Sequence, residues 1–158
     1  MLLRKQTAYT QTWATRVSLQ SETKTHEAGS IVFWSRWSYI ACFLRDDQVI
    51  LRWIDEITDE TKVVHHSGIA DEQELVGPEC AGPVTLRFRA EPTAYTCAYR
   101  HGDMVDFRDL ITLPSTVIQR NRIFESPYTG AHFGLFAQDT ALEQSMVPAY
   151  FDYASLTA

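Results

Sequence analysis

The sequence predicts an all-β protein, an antiparallel sandwich or barrel. Helical spacing of apolar residues is scarce along the 158 residues, whereas alternating and continuous runs rich in β-branched and aromatic residues dominate. These runs are short, nearly evenly spaced and separated by turn residues, which is typical of sandwiches and barrels. The predicted strands are Gln11–Leu19, Gly29–Trp34, Ser38–Leu44, Val49–Ile54, Lys62–His66, Val84–Ala90, Tyr95–Arg100, Val105–Leu110, Ala131–Ala137 and Tyr150–Leu156.

The segments between these runs have the chemistry of turns. Arg45–Asp47 is polar, and His101–Asp103 places Gly102 where a positive φ is allowed. The pairs Gly77-Pro78 and Gly82-Pro83 bracket a predicted loop. The chain shows no repeat and no internal linker, so we expect residues 1–158 to form a single domain.

Side-chain alternation separates two kinds of strand. In VTLRFRAE, Leu86 and Phe88 share one face while Arg87 and Arg89 share the other, which predicts a half-buried strand. The middle strands SYIACFLR and QVILRWID are apolar on both faces. Both faces therefore need a cover, because large exposed apolar patches are rare on monomers. Loops, a partner subunit or a ligand would each supply it.

Composition excludes some partners. Hydrophobic content is 45% and charged content 22%, as in ordinary globular proteins. The net charge of −6 argues against nucleic acid and against an anionic membrane surface. No apolar run approaches the roughly 20 residues that span a bilayer.

Weak signals agree on a cytoplasmic location. The N-terminus lacks the apolar region of a secretory signal, and Asn121 is not in a glycosylation sequon. Cys42, Cys80 and Cys97 are an odd, sparse set without metal or redox spacing. We expect Cys42 and Cys97, which lie in strand interiors, to be buried as small hydrophobic residues rather than to act as nucleophiles.

Four segments together resemble a known family. LLRKQT near the start, Glu27–Gly29 followed by IVFW, TGAHFGLFA at 129–137 and AYFDY at 149–153 are similar to the C-terminal β-sandwich of family 43 glycoside hydrolases of the fungal β-xylosidase type. The similarity covers nearly the whole chain in the right order. It implies an antiparallel two-sheet sandwich, a jelly roll of the concanavalin A-like kind. It also implies that Gly130 and Gly134 permit a turn and close packing.

In that family the sandwich is an accessory domain, and the catalytic carboxylates lie on a preceding five-bladed propeller. This chain lacks the propeller, so the resemblance implies no glycosidase activity here. Some related sandwiches bind xylan themselves. Met1 and an end that coincides with the family's last strand suggest a complete small protein that kept the fold and changed its task.

Several clusters favour ordinary structural roles. The acids between Asp55 and Glu60 follow a strand and are read as a solvated loop rather than a glycosidase pair. His65 and His66 alternate in direction and lack a third ligand, so no metal site is predicted. No nucleotide, flavin or other cofactor motif is present.

The candidate ligand site consists of an aromatic and a cationic set on one concave face. The aromatic residues either form a surface on which a ligand stacks or simply pack in the core. The cationic residues either donate hydrogen bonds to a carbonyl, carboxylate or hydroxyl group of a ligand, or they form a solvated face of the sheet. Alternation places Arg87 and Arg89 together and allows His132 to join them. The aromatic residues are Trp34, Trp37, Tyr39, Trp53 and Tyr128, and the polar ones are Arg52, Arg87, Arg89, Arg100 and His132.

Three functions stay open. The first is a cofactor-independent cyclase or isomerase of fungal natural-product biosynthesis, with His132 and Arg87 as catalytic residues polarising a small-molecule substrate. The second is a non-catalytic xylan-binding or xylo-oligosaccharide-binding module. The third is a structural domain, with a homodimer formed through the uncovered apolar face.

Overall fold

The computed structural model describes residues 1–21, 23–35, 38–54, 72–118, 130–142 and 147–158. They form a two-sheet antiparallel sandwich, which confirms the predicted fold class. The strands are β1 (Leu2–Lys5), β2 (Gln11–Leu19), β3 (His26–Ser35), β4 (Ser38–Arg45), β5 (Gln48–Ile54), β6 (Glu72–Glu79), β7 (Val84–Glu91), β8 (Ala94–His101), β9 (Arg108–Pro114), β10 (His132–Asp139) and β11 (Ala149–Thr157).

The two sheets contain six and five of these strands. The first sheet has the order β1-β10-β3-β4-β5-β6, and the second has the order β11-β2-β7-β8-β9. A short 3₁₀ turn, Ser115–Val117, follows β9. None of the described residues belongs to a helix long and apolar enough to cross a membrane.

The main core lies between the sheets. Trp13 of β2 stacks on Phe133 of β10, with ring centroids 6.1 Å apart. Its indole N–H donates to Ser30 Oγ at 2.7 Å, so the buried polar atom has a partner in the opposite sheet. Alternate residues of β7, such as Leu86 and Phe88, are fully buried in this core as their spacing predicts.

A second, smaller apolar cluster lies on the outer face of the first sheet. It contains Ile31, Ala41, Phe43 and Ile50, all buried, with partly buried aromatic residues around it. This confirms that the middle strands bury both of their faces. Gly29 lies opposite Phe43 on the neighbouring strand, and a β-carbon at position 29 would overlap the Phe43 backbone.

The turns follow the local chemistry. Asp46 and Asp47 join β4 to β5 with φ values of 52° and 56°, the conformation that a tight hairpin requires at both central residues. Gly102 has the expected positive φ, at 57°. Gly134 permits close packing, because a β-carbon there would lie 2.5 Å from Leu3 Cδ2. Gly130 has only an ordinary contact, with Lys5.

Two strands of the first sheet have no counterpart in the prediction. β1 and β6 are its edge strands and are largely exposed, so they lack the alternation that identifies a half-buried strand. The Gly77-Pro78 pair, read as a loop boundary, lies inside β6, where an edge strand tolerates proline. β9 begins three residues later than Val105, and the predicted strand Lys62–His66 lies outside the described residues.

A buried histidine joins two chain segments at one end of the sandwich. His26 Nε2 lies 3.3 Å from Asp139 Oδ2, and both side chains are almost fully buried. His26 Nδ1 also lies within hydrogen-bond distance of the hydroxyls of Ser21 and Thr23. Because the Thr23 N–H donates to Ser21 Oγ at 3.1 Å, the group has the pattern of a capped turn.

Candidate functional site

The structure divides the predicted site residues among three places. Trp34 and Trp53 pack against the core between the sheets. Tyr39, Arg52 and His132 belong to the outer face of the first sheet, where Tyr39 and His132 lie directly opposite Phe33. Arg87 and Arg89 belong to the outer face of the second sheet, on β7. Trp37 and Tyr128 lie outside the described residues.

The two residues assigned to catalysis are therefore not brought together. His132 and Arg87 lie on outer faces that point away from each other, with the whole core between them. The expected joining of His132 to Arg87 and Arg89 is wrong, because alternation fixes the face of a strand but not the sheet to which that strand belongs.

On the outer face of the first sheet, Arg52 is held in ion pairs. Its guanidinium lies over the Phe43 ring, 4.6 Å from the centroid. Nη1 and Nη2 donate to the two carboxylate oxygens of Glu27 at 2.9 and 2.6 Å, a bidentate pair. Nε contacts Glu72 at 2.7 Å, and Nη2 contacts Glu74 at 3.1 Å.

Glu27 is the centre of this network, because only 1% of its side chain is exposed. Besides Arg52 it accepts from Arg45 Nη1 at 3.2 Å and from Gln138 Nε2 at 2.7 Å. Arg45 also pairs with Glu74. Each charge in the group thus has an opposite charge and hydrogen bonds. We call these six side chains the ion network; they are Glu27, Arg45, Arg52, Glu72, Glu74 and Gln138.

Electrostatics in the ion network favour the charged forms. Burial opposes the charge of Arg52, but hydrogen bonds and attraction to Glu27 outweigh burial and raise its pKa. Burial would raise the pKa of Glu74, yet hydrogen bonds from Arg45 and Arg52 lower it. Burial and the neighbouring Glu72 raise the pKa of Tyr39 well above its ordinary value. The phenol therefore stays protonated at neutral pH, and Arg52 is engaged within the protein.

A pocket of about 440 Å³ opens at one end of the sandwich, next to the β7–β8 turn. We call it the end pocket. Tyr9 is 81% exposed, whereas Trp34 is half-buried. The lining of the end pocket includes the aromatic rings of Tyr9, Trp34 and Tyr95 and the polar side chains of Gln6, Glu91 and Ser115.

Hydrogen bonds fix the walls of the end pocket. Tyr95 donates its hydroxyl proton to Gln6 Oε1 at 2.8 Å, and Gln6 Nε2 donates to the Ala8 carbonyl at 2.8 Å. Burial raises the pKa of Tyr95, so the phenol keeps its proton. On the other wall, the Ser115 N–H donates to the Thr93 carbonyl at 2.9 Å. These bonds hold the Gln6, Tyr95 and Ser115 parts of the pocket wall in place.

Among the described residues that line the end pocket, Trp34 alone was a predicted site residue. Tyr9 was missed, although a tyrosine within the polar run Gln6–Thr10 is a signal of an exposed aromatic ring. Tyr95 was counted only as a strand residue. Nothing in the sequence shows that their distant segments meet at one end of the sandwich.

No described group of three or more His, Cys, Asp or Glu side chains is placed to hold a metal ion. His65 and His66 and the acids Asp55–Glu60 lie outside the described residues. Cys42 and Cys97 are buried, and burial raises the pKa of both thiols, to about 12 for Cys42. Neither thiol therefore ionises at neutral pH.

A family model for the beta xylosidase C-terminal concanavalin A-like domain matches residues 1–157. Among solved structures, a xylan β-1,4-xylosidase from Bacillus halodurans is similar with a TM-score of 0.74 and 16% identity, covering 99% of this chain and 29% of that one. The chain thus spans under a third of that enzyme's length. No curated protein matches the chain.

Two further structures share the architecture. A functionally unknown protein from Saccharomyces cerevisiae has a TM-score of 0.62 and 17% identity, with 96% of this chain and 71% of that one covered. Sheep galectin-11, in complex with glycerol, has a TM-score of 0.50 and 11% identity, with 98% and 95% covered. At these identities the likeness concerns the fold alone.

Proposed function

Because the chain belongs to the family of beta xylosidase C-terminal concanavalin A-like domains, we propose that it is a non-catalytic carbohydrate-binding domain. The end pocket is the proposed binding site. The observation that carries this proposal is the presence of exposed and half-buried aromatic rings together with polar side chains around one pocket of about 440 Å³.

The chemistry of the end pocket suits a sugar. Aromatic faces such as those of Tyr9 and Trp34 pack against the apolar face of a pyranose ring, while polar groups at the edge bind its hydroxyls. Gln6, Glu91 and Ser115 supply such groups. The pocket falls within the range of about 300–1,000 Å³ that is usual for small-molecule sites.

The proposed ligand class is a xylo-oligosaccharide. The reason is that the family is named for β-xylosidases and that a similar solved structure is a xylan β-1,4-xylosidase. A neutral sugar chain also suits a protein with a net charge of −6, because no counter-charge is needed.

Calorimetric titration with xylohexaose tests this proposal. The expected result is saturable binding that Trp34→Ala and Tyr9→Ala weaken at least about tenfold, since aromatic anchors carry much of the binding energy in such sites. The matched control is Tyr150→Ala, which removes another exposed tyrosine, on β11 and outside the lining of the end pocket. Absence of binding, or binding that Trp34→Ala and Tyr9→Ala leave unchanged, would overturn the proposal.

A second candidate is a cofactor-independent cyclase or isomerase on the outer face of the first sheet. One observation favours it: His132, Phe33 and Tyr39 lie side by side across β10, β3 and β4. An imidazole beside an aromatic wall suits proton transfer to a small substrate, and the protonated Tyr39 phenol can donate a hydrogen bond to it. Arg87 has no part in this version, because it lies on the other sheet.

Turnover tests that candidate. The substrate is the intermediate that accumulates in a strain lacking the gene, and the readout is its conversion by the purified protein. Conversion that His132→Ala abolishes and Tyr9→Ala leaves unchanged supports the enzyme. Conversion unaffected by His132→Ala contradicts this assignment.

A further inference from the structure

Four arginines are gathered on the outer face of the second sheet. Thr85 of β7 lies directly between Arg16 of β2 and Arg100 of β8. Two residues further along β7, Arg87 lies between Ala14 and Ala98. After two more residues, Arg89 lies between Thr12 and Thr96. The small neighbours let the guanidiniums lie over the sheet. We call this surface the arginine face; it is defined by Arg16, Arg87, Arg89 and Arg100.

Phe107 holds two of these arginines in place. The guanidinium carbons of Arg87 and Arg100 lie 4.1 and 4.8 Å from the centroid of its ring. Two cations share one aromatic ring, so the ring offsets part of the repulsion between them. The guanidiniums are thereby ordered before any ligand arrives.

The carboxylates near the arginine face pair with it only weakly. Arg16 lies 3.3 Å from Asp152, Arg87 lies 3.5 Å from Asp109, and Arg89 lies 3.8 Å from Glu91. All three exceed the 2.7–2.9 Å of a good charge-assisted hydrogen bond. Half or so of each of these carboxylates is exposed, so water screens the pairs further.

Hydrogen-bonding capacity is left over as well. The Nε atoms of Arg87 and Arg89 are buried and have no hydrogen-bond acceptor among the described residues, so a ligand would reach these side chains through their terminal nitrogens rather than through Nε. Burial lowers the pKa of Arg87, as do its neighbours Arg89 and Arg100, while Asp109 opposes them. Among the described residues, three of the four arginines have a carboxylate within ion-pair distance, whereas Arg100 donates to the Val105 carbonyl instead.

We propose that the arginine face binds a carboxylate group, namely that of a uronic acid unit on a sugar chain. A planar carboxylate matches the guanidinium fork. A single anion suits a face on which one described arginine lacks a carboxylate partner, whereas a polyanion would be repelled by the chain's net charge of −6.

The arginine face adjoins the end pocket. Glu91 lines that pocket and is also the partner of Arg89. A sugar chain lying in the end pocket can therefore send an acidic branch past Glu91 to Arg89 and Arg87. The sugar part of this inference rests on the proposed function, whereas the carboxylate part rests on the arginines alone.

The test is a calorimetric titration with four probes: a xylo-oligosaccharide that carries one glucuronic acid branch, the unbranched oligosaccharide of equal length, sodium glucuronate and inorganic phosphate. The branched probe is expected to bind about tenfold more tightly than the unbranched one. Arg87→Gln combined with Arg89→Gln should remove this difference and leave the unbranched probe unaffected. Arg4→Gln, an exposed arginine of β1, is the matched control.

The outcomes separate the two proposals. Equal affinity for branched and unbranched probes overturns the carboxylate site while the end pocket stands. Arginine-dependent binding of glucuronate without binding of the unbranched probe supports the carboxylate site and overturns the sugar pocket. Inorganic phosphate that binds as tightly as glucuronate overturns the assignment to a carboxylate. Urea midpoints of all variants establish that each is folded, and Arg87→Lys with Arg89→Lys, which keeps the charge, should retain part of the preference.

Discussion

The two outer faces of the sandwich both carry arginines, but these arginines differ in how closely carboxylates pair with them. In the ion network, Arg52 makes a bidentate pair with Glu27, whose side chain is 1% exposed, and every charge has close partners. On the arginine face, the ion pairs measure 3.3–3.8 Å and two Nε atoms lack acceptors within the described chain. We expect arginines of the first kind to stabilise the fold, and we propose those of the second kind as the contacts of a ligand.

Burial explains the difference. Removing one partner of a buried ion pair leaves the other charge without water or counter-charge, which costs about 3–5 kcal/mol. A solvent-exposed pair contributes about 0–1 kcal/mol, because water replaces the lost partner. The two faces are therefore expected to respond very differently to the same kind of substitution.

The largest effect is expected for Glu27→Gln in the ion network. The glutamine keeps the shape but leaves Arg45 and Arg52 short of one negative charge in a buried place, so the free energy of unfolding should fall by about 3–5 kcal/mol. Urea unfolding followed by tryptophan fluorescence measures it. Glu91→Gln on the other side of the sandwich is the control, with about 0–1 kcal/mol expected. Equal losses for the two variants would remove the contrast between the faces.

The second largest effect is expected from acid, which should weaken the ion network. The pKa of Glu74 is lower in the folded protein than its ordinary value of 4.5. Its stabilising effect is thus fully present above pH 4.5 and is lost as the pH falls through the depressed pKa of the folded state. Urea midpoints measured from neutral to acidic pH should fall in that window, and Glu74→Gln should reduce the slope there. A Glu74→Gln variant with an unchanged slope would show that this carboxylate is not linked to folding.

Loss of Phe107 should have a smaller effect, confined to the second sheet. Phe107→Ala removes two cation–π contacts of about 0.5–1 kcal/mol each, so a loss of about 1–2 kcal/mol is expected. The same variant should weaken glucuronate binding, because the guanidiniums lose their fixed positions. Phe107→Leu, which keeps apolar bulk but not the π face, distinguishes packing from cation–π attraction. Binding that Phe107→Ala leaves intact would contradict the ordering role of the ring.

The smallest change in stability is expected for Arg89→Gln. Its ion pair with Glu91 is long and half-exposed, and Arg87 lies two residues away with the same charge. The free energy of unfolding should change by less than about 1 kcal/mol in either direction. A loss comparable to that of Glu27→Gln would mean that the arginine face is structural.

Local pattern was sufficient for most of the fold. Alternation and continuous apolar runs identify β2 and the other strands that touch the core, because burial imposes those patterns directly. β6 is different: as an exposed edge strand its sequence EQELVGPE carries no apolar face, so nothing local distinguishes it from a loop.

The site depends on long-range relations that a sequence pattern does not contain. Arg87 and His132 have the predicted alternation, yet they belong to different sheets. Glu27 and Arg52 are 25 residues apart and meet only because β3, β4 and β5 are neighbours in register. Tyr9 and Trp34 likewise meet through topology. Assigning a residue to a face is thus a local inference, whereas assigning it to a site is not.

An NMR titration of the protein with the glucuronic-acid-branched xylo-oligosaccharide, followed through tryptophan indole and arginine Nε–H resonances, locates the bound ligand. Shifts are expected at Trp34, Arg87 and Arg89, with Arg45 and Arg52 unchanged. Shifts confined to Arg52 and its neighbours on the outer face of the first sheet would contradict this expectation and would place the ligand where the ion network lies.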